Sequence, residues 1–400
     1  MKVLVLNTGS SSVKYTFFET EGEKRIAKGI VECIGLPEAY FKHQVTGEEE
    51  IKEACKAPNH QAAIKLILQN LTDAEHPVIK DIHDISGIGH RIVHGGEKFS
   101  KSVLVDDEVM QDIKNCFVLA PLHNPHHYEG LKACQELMEG IPEVAVFDTA
   151  YHQTIPDYAY SYGLPYTLCK KYNIRRYGFH GTSHHYVAER AAEILNKPIE
   201  KLNLITCHLG NGCSITAIEK GKSIDTSMGF TPLEGLVMGT RTGDLDPAII
   251  IHLLSYEKIS ADDLNTLLNK KSGLLGISGI SADMRTILKS AAGGMERAKL
   301  ALEVFCYRAK KYISAYLGAL NGTDAVVFTA GIGENSPTIR EKCCENMQNL
   351  GIAIDKTANE GIIAEEGIIS PKDMRVKVMV VPTNEELMIA RETVKVLTNS

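Results

Sequence analysis

No apolar run in this chain approaches the roughly 18 residues needed to cross a bilayer as a helix. A helical membrane anchor is therefore excluded. The amino-terminal run Met1–Asn7 is too short for a secretion signal and lacks a cleavage site, so it reads as a strand. The ten cysteines contain no C-x-x-C, and their one adjacent pair is Cys343-Cys344. Scattered cysteines without a secretion signal argue for reduced, mostly structural thiols in a cytoplasmic protein. Basic residues are not in excess, since 43 Lys and Arg face 50 Asp and Glu for a net charge of −7. That balance argues against a nucleic-acid partner, which calls for a basic patch. No H-E-x-x-H or Cys/His pattern occurs, so His123-Asn-Pro-His126-His127 and His184-His185 are not read as zinc ligands. A Walker A loop is excluded as well, because the spacing G-x-x-x-x-G-K-[ST] is missing.

What remains is a chain of 400 residues with an apolar fraction of 44%, enough for two domains that each bury a core. Short, β-branched-rich runs bounded by turn residues predict strands at Val3–Leu6, Val144–Phe147, Leu202–Cys207, Ala325–Phe328 and Val376–Val381. Helical patterns alternate with them at Tyr186–Leu195, Pro247–Leu254, Arg297–Leu320 and Glu385–Leu397. Such alternation implies an α/β architecture. A faint repeat supports a duplication: the strand and Gly/Ser/Asn turn at Val3–Val13 have the same shape as Leu204–Ile215, about half a chain later.

Four segments carry chemistry. Asn7-Thr-Gly-Ser10-Ser-Ser12-Val-Lys14 combines small residues, hydroxyls and a lysine, which suits backbone approach to an anion at a hairpin; a plain β-turn would use the same letters. His208-Leu-Gly210-Asn211-Gly212 repeats that logic, and Asn-Gly is equally a hairpin signal. Thr329-Ala-Gly331-Ile-Gly333-Glu-Asn335-Ser follows a buried strand, where ligands of α/β sheets collect. In Met238-Gly-Thr-Arg241-Thr-Gly243-Asp244-Leu-Asp246-Pro247, Asp246 and Pro247 are helix-start residues, but Arg241 in a glycine-flanked loop suits a carboxylate or phosphoryl oxygen. Arg91 in Gly89-His-Arg91 reads the same way, and His180 is expected just before a capped helix starting near Tyr186. Asp148 ends a strand, and Thr383 with Glu386 matches a capping box, which leaves Glu385 free for a metal.

Together Leu6–Lys14, Gly178–His184, Met228–Pro247 and Thr329–Asn335 resemble the acetate kinase family, within the superfamily of sugar kinases, actin and heat-shock chaperone ATPases, and the likeness spans the whole chain. The resemblance implies two duplicated actin-like (ribonuclease H-like) α/β domains with an active-site cleft between them. Residues 1–150 plus the helix 386–400 would form one; residues 151–385 would form the other, with the nucleotide site and a dimer interface. It implies reversible, direct transfer of a phosphoryl group from ATP to acetate, giving acetyl phosphate and ADP. Mg²⁺ would be the metal, with Mn²⁺ able to substitute, and the enzyme would be a cytoplasmic homodimer without nucleic-acid or membrane partners.

By the same resemblance, Asp148, His180, Arg241 and Arg91 would be catalytic, and Asn7 and Glu385 would serve the metal through its waters. Arg91, Val93, Leu122, His123, Phe179 and Pro232 would hold acetate, four of them (Val93, Leu122, Phe179, Pro232) forming an apolar pocket for its methyl. Ser10, Ser12 and Lys14 would line the phosphates. His208, Leu209, Gly210, Asn211, Gly212, Asp283, Met284, Arg285, Gly331, Ile332, Gly333, Glu334 and Asn335 would hold the nucleotide, with the Met284 side chain carrying little of that role. Because a carboxylate acceptor is already ionised at neutral pH, no general base is needed, and Asp148 is expected to orient Arg91 or metal-bound water. A propionate or butyrate kinase would share these residues and differ in pocket shape. A non-catalytic nucleotide-driven binding or filament protein would keep the phosphate loops without needing Arg91, Arg241 and His180 together.

Overall fold

The apolar amino-terminal run becomes a central strand, and the structure grows outward from it. The computed structural model describes residues 1–72 and 77–399. They divide into two units, Met1–Tyr151 with the chain from Asn384 onward, and His152–Thr383.

In the first unit β1 (Lys2–Thr8), β2 (Ser12–Glu19), β3 (Lys24–Glu32), β4 (Tyr40–Val45), β5 (Ile51–Ala54), β6 (Gly87–Ile92), β7 (Val103–Leu104) and β8 (Glu143–Phe147) form one sheet. Its order is β5-β4-β3-β2-β1-β6-β8-β7. In the second, β9 (Asn203–Leu209), β10 (Cys213–Glu219), β11 (Lys222–Thr226), β12 (Ala325–Thr329), β13 (Gly367–Ile368) and β14 (Lys377–Val380) form a sheet ordered β11-β10-β9-β12-β14-β13. Both sheets share a centre. An antiparallel meander (β1-β2-β3 or β9-β10-β11) is joined on its first strand by two parallel strands, β6 and β8 or β12 and β14. The repeat read at Gly9 and Gly210 is thus the turn between the first two strands of each meander. The five strands expected from apolar runs are all present within a residue or two.

Leu4, Leu6, Phe17, Ile64 and Leu71 are fully buried in the core of the first unit. The helix Glu385–Thr398 lies against β6 through Ile389, Thr393 and Leu397. That approach requires glycine: a Cβ on Gly89 would stand 2.4 Å from Thr393 Oγ1, and one on Gly87 would stand 2.4 Å from Leu397 Cδ1. Leu387 and Ala390 are buried, but Val394 is only half-buried and lines a groove with Phe18 and Arg391.

Three local expectations need correcting. The helix expected from Tyr186 begins at Gly181, five residues earlier, with His180 as its N-cap. No capping box forms at Thr383 and Glu386; Asn384 is the N-cap and its side chain accepts from the Leu387 N–H. The Thr383 hydroxyl is instead paired with Ser183 at 2.8 Å. The segment after Pro247 is α-helical only to His252 and then widens into a π-turn over Leu253–Glu257.

Candidate active site

In the first unit the candidate residues gather at the carboxyl ends of β1, β6 and β8. Arg91, near the end of β6, reaches Asp148, which directly follows β8, with Nη2–Oδ2 at 2.5 Å and Nε–Oδ1 at 3.4 Å. Its Nη1 lies 3.5 Å from Asn7 Oδ1 and its Nε lies 3.8 Å from Glu385 Oε2. Asp148 is 1% exposed, so the guanidinium is its charge partner in the interior. Burial works against the Arg91 cation, but the Asp148 and Glu385 carboxylates outweigh it and keep the group protonated. Ser10 and Lys14 are exposed, Lys14 near enough to Glu385 for its charge to act there, and Gly9 closes the turn by donating its N–H to the Ser12 carbonyl at 2.7 Å.

Glu385, at the first turn of its helix, is raised to about 7 by burial and then by Asp148 and Glu386, against the pull of Arg91 and Lys14. A carboxyl raised in the folded state opposes folding when it ionises. The cost is absent below its ordinary 4.5 and complete above about 7. Metal-free protein is therefore expected to lose stability as pH rises through that window, by at most ~3 kcal/mol. Glu385→Gln should abolish the loss. Urea unfolding in chelator at pH values either side of the window checks this; identical pH dependence in E385Q and parent would contradict it.

In the second unit a different group forms around the β9–β10 turn. His180 occupies the left-handed region at φ 58° and presents its ring to the sheet. Its Nδ1 lies 2.9 Å from Ser214 Oγ, and its ring stacks on His208 with centroids 4.1 Å apart. Neither Gly210 nor Gly212 has a positive φ, so the turn does not need them for backbone freedom. Gly212 matters for closeness: a Cβ there would lie 3.3 Å from His180 Nε2 and 3.6 Å from Arg241 Nη1. Those two nitrogens thus converge on one point.

Arg241 is half-buried, and burial lowers its pKa. It donates to the Pro232 carbonyl at 3.2 Å but, among the described residues, forms no ion pair with a carboxylate. Its loop is held by groups that sequence reasoning did not single out. Arg176 Nη1 binds the carbonyls of Thr226, Ser227 and Met228, and its Nη2 pairs with Glu234 at 2.7 Å. Asp244 accepts from the Gly235 N–H and meets Arg308. At Gly243, φ is 67° and a Cβ would collide with the Leu236 carbonyl at 2.3 Å, so the motif's glycine is a steric requirement.

A pocket of about 700 Å³ in this unit is lined by Gly210, Asn211, Asp283, Met284, Arg285, Gly331, Ile332 and Asn335, all expected at the nucleotide. Ala282, Leu288 and Ser336 also line it and were not foreseen, although they adjoin the expected segments. Its size suits one small-molecule ligand. Asp283 caps the helix Met284–Ala292 and pairs with the exposed Arg285 at 2.6 Å. Other expected residues do not line the pocket. Leu209 and Gly333 are buried, and the Glu334 carboxylate accepts from the N–H groups of Ala330 and Thr383. Glu334 thus holds the turn rather than offering its charge. The turn itself is the short helix Ala330–Asn335, and the fully buried Arg340 binds the Gly333 and Glu334 carbonyls behind it.

Of the residues expected around an acetate methyl, Val93 and Phe179 are buried, Pro232 is half-buried and Leu122 is 61% exposed. His123 is half-buried and caps the helix Asn124–Leu137. His127 is buried and held uncharged by burial, His184 lies inside the sheet–helix contact, and His185 pairs with Glu189 at 3.3 Å. Among the described residues the grouping with metal-ligand spacing is His90, Cys134 and Glu143, all buried, with His90 Nε2 and Glu143 Oε2 2.7 Å apart.

Residues 2–391 match the model of the acetokinase family. Acetate kinase of Caldicellulosiruptor saccharolyticus is 56% identical over 400 residues, covering 99% of this chain and all of the relative. Acetate kinase of Thermotoga maritima is 56% identical over 399 residues, with 99% of each covered. Among solved structures, acetate kinase of Porphyromonas gingivalis superposes with a TM-score of 0.95 at 48% identity, over 99% of both chains. A propionate kinase from Francisella tularensis superposes with a TM-score of 0.92 at 45% identity, over 98% of this chain and 99% of that one.

Proposed function

This chain belongs to the acetokinase family, and from that premise we propose that it transfers a phosphoryl group directly between ATP and acetate, giving acetyl phosphate and ADP. The observation that carries the reading is Arg241: a half-buried guanidinium with no carboxylate partner among the described residues, aimed with His180 at one point beside Gly212. A cation desolvated without a counter-charge is reserved for an anion that arrives.

The acceptor is an anion and the donor a polyanion, so catalysis must offset their repulsion and position them; no base is required. Arg241, Arg91, His180 and Lys14 supply donors and positive charge. Asp148, anchored in the interior, holds the Arg91 fork in one orientation. The nucleotide is assigned to the pocket lined by Gly210, Asn211, Asp283–Arg285, Gly331, Ile332 and Asn335, and Ser10 and Ser12 are proposed for its phosphates.

The family's chemistry calls for a divalent metal, and Mg²⁺ is proposed near Asn7 and Glu385. The donors are hard oxygens, and crowding by Asp148 and Glu386 leaves Glu385 a carboxylate that a cation would relieve. When bound, the ion would neutralise charge on the phosphates.

Val93, Leu122, Phe179 and Pro232 are proposed to meet the acetate methyl. A methylene costs roughly 1–3 kcal/mol of discrimination in such pockets, so kcat/KM should fall at least ~10-fold from acetate to propionate and again to butyrate. Trapping the acyl phosphate as its hydroxamate with each acid tests both statements. Butyrate matching acetate would overturn the pocket assignment, and no acyl phosphate from any acid would overturn the reaction.

A homodimer in the cytoplasm completes the proposal. All ten cysteines are free. Ile249, Ile251, Leu254 and Tyr256 cluster along one short segment and are 47%, 66%, 40% and 75% exposed, which suits a subunit contact. Sedimentation equilibrium should return twice the chain mass of 43.9 kDa, and Ile251→Asp should shift the species toward monomer. A parent chain that sediments as a monomer would contradict this.

A further inference from the structure

We infer that His60 is a positioning residue for the turn between β1 and β2: by binding the Gly9 carbonyl it aims the Ser10 N–H at a phosphate oxygen of the nucleotide. The inference rests on the proposed placing of Ser10 and Ser12 at the phosphates and concerns how their turn is held.

Three carbonyls of the turn are drawn off by partners. The Gly9 oxygen lies 2.7 Å from His60 Nε2, the Ser11 oxygen accepts from the Ile34 N–H at 3.0 Å, and the Ser12 oxygen accepts from the Gly9 N–H at 2.7 Å. A carbonyl oxygen can only accept, so His60 Nε2 carries the hydrogen of its contact whether the ring is neutral or charged. The peptide between Gly9 and Ser10 is trans and planar, so its C=O and N–H point opposite ways. Holding the oxygen on His60 therefore turns the Ser10 N–H to the other side. That N–H donates to no backbone carbonyl among the described residues, and Ser10 is exposed. A backbone N–H so presented is a donor for an anion.

This peptide is the one in the turn that most needs a tether. Gly9 has no Cβ to restrict its rotation, so the Gly9–Ser10 plane flips more readily than its neighbours. Flipped, it would face the anion with an oxygen in place of the N–H and exchange attraction for repulsion. The tether is firmly based. His60 opens the helix His60–Thr72, where the Asn59 side chain accepts from the Ala62 N–H at 2.9 Å and Ile64, Ile67 and Leu71 are buried in the core of the unit. The ring is half-buried and lies beside that of His126, with centroids 5.7 Å apart, which limits its swing. The helix thus keeps its place without the imidazole, and the imidazole adds the hold on Gly9.

Affinity of the full-length protein for MgADP, set against that for adenosine, tests the inference. His60→Leu, and His60→Asn with an amide too short to reach Gly9, should each weaken MgADP roughly 10-fold, the worth of one hydrogen bond to a charged group, and leave adenosine unchanged. His60→Gln, whose amide nitrogen reaches about as far as Nε2, should restore the parent value. In protein labelled with ¹⁵N at serine, the Ser10 amide, identified through Ser10→Ala, should shift with MgADP but not with adenosine in the parent and in H60Q, and shift little in H60L. H60N carries the test should H60L fail to fold by circular dichroism. Parent-like MgADP affinity in the folded H60L or H60N, or a folded H60Q as weak as they are, would overturn the tether while the parent amide still reports the phosphate. A parent Ser10 amide that answers MgADP no more than adenosine would overturn the placing of the turn at the phosphates, and the inference with it.

Discussion

Arg241→Ala is expected to lower kcat by roughly 10³-fold or more, with the fold intact. In the free protein the side chain contributes little to stability: it binds one carbonyl, that of Pro232, and pairs with no carboxylate among the described residues. Its value lies in the charge it brings to the point beside Gly212. Arg241→Lys should recover little, because an ammonium on a flexible stem cannot reproduce a planar fork. Steady-state kinetics beside a urea unfolding curve separates the two effects. A variant that loses stability in step with activity would show Arg241 to be structural, and one that keeps more than a tenth of kcat would show that another group supplies the charge.

Asp148→Asn should give the next largest loss, about 10²–10³ in kcat, by releasing Arg91 from its fixed orientation. Asp148 is 1% exposed and binds Arg91 through both oxygens. The amide keeps the shape but not the charge, so stability should fall as well, by about 2 kcal/mol, less than for a fully buried pair because Arg91 is 20% exposed. The two possible roles of Asp148 predict different pH profiles. If it orients Arg91, the residual activity of D148N follows pH as the parent does. If it takes a proton, the variant loses one limb of the profile.

Strands were the most legible part of the fold, because buried β-branched runs such as Ala325–Phe328 leave few alternatives. Helix starts were less legible. The helix after Phe179 begins with Gly181-Thr-Ser183, letters that read as turn, and its N-cap is a left-handed histidine that makes no cap hydrogen bond through its side chain. At the last helix two plausible caps stand side by side, and Asn384 prevails over Thr383 because the threonine hydroxyl is held by Ser183. Gly210, Asn211, Gly331 and Ile332 of the glycine-rich segments line a pocket of the second unit together with Asp283–Arg285 and Asn335. The supporting groups were not legible. Arg176 acts on a loop some fifty residues away in sequence, and Ser214 looks like any serine on a strand until His180 and His184 are placed on either side of it. Glu334 looked like a ligand because of the motif around it, whereas its carboxylate is taken by two backbone N–H groups.

The most direct test of a single transfer between ATP and acetate follows the configuration of the moving phosphorus, using ATP made chiral at its γ-phosphoryl group with acetate and Mg²⁺. Direct in-line transfer predicts that the acetyl phosphate forms with inversion. Retention would require two displacements through a phosphorylated side chain and would contradict the assignment of Arg91, Arg241 and His180 as groups that only position and stabilise.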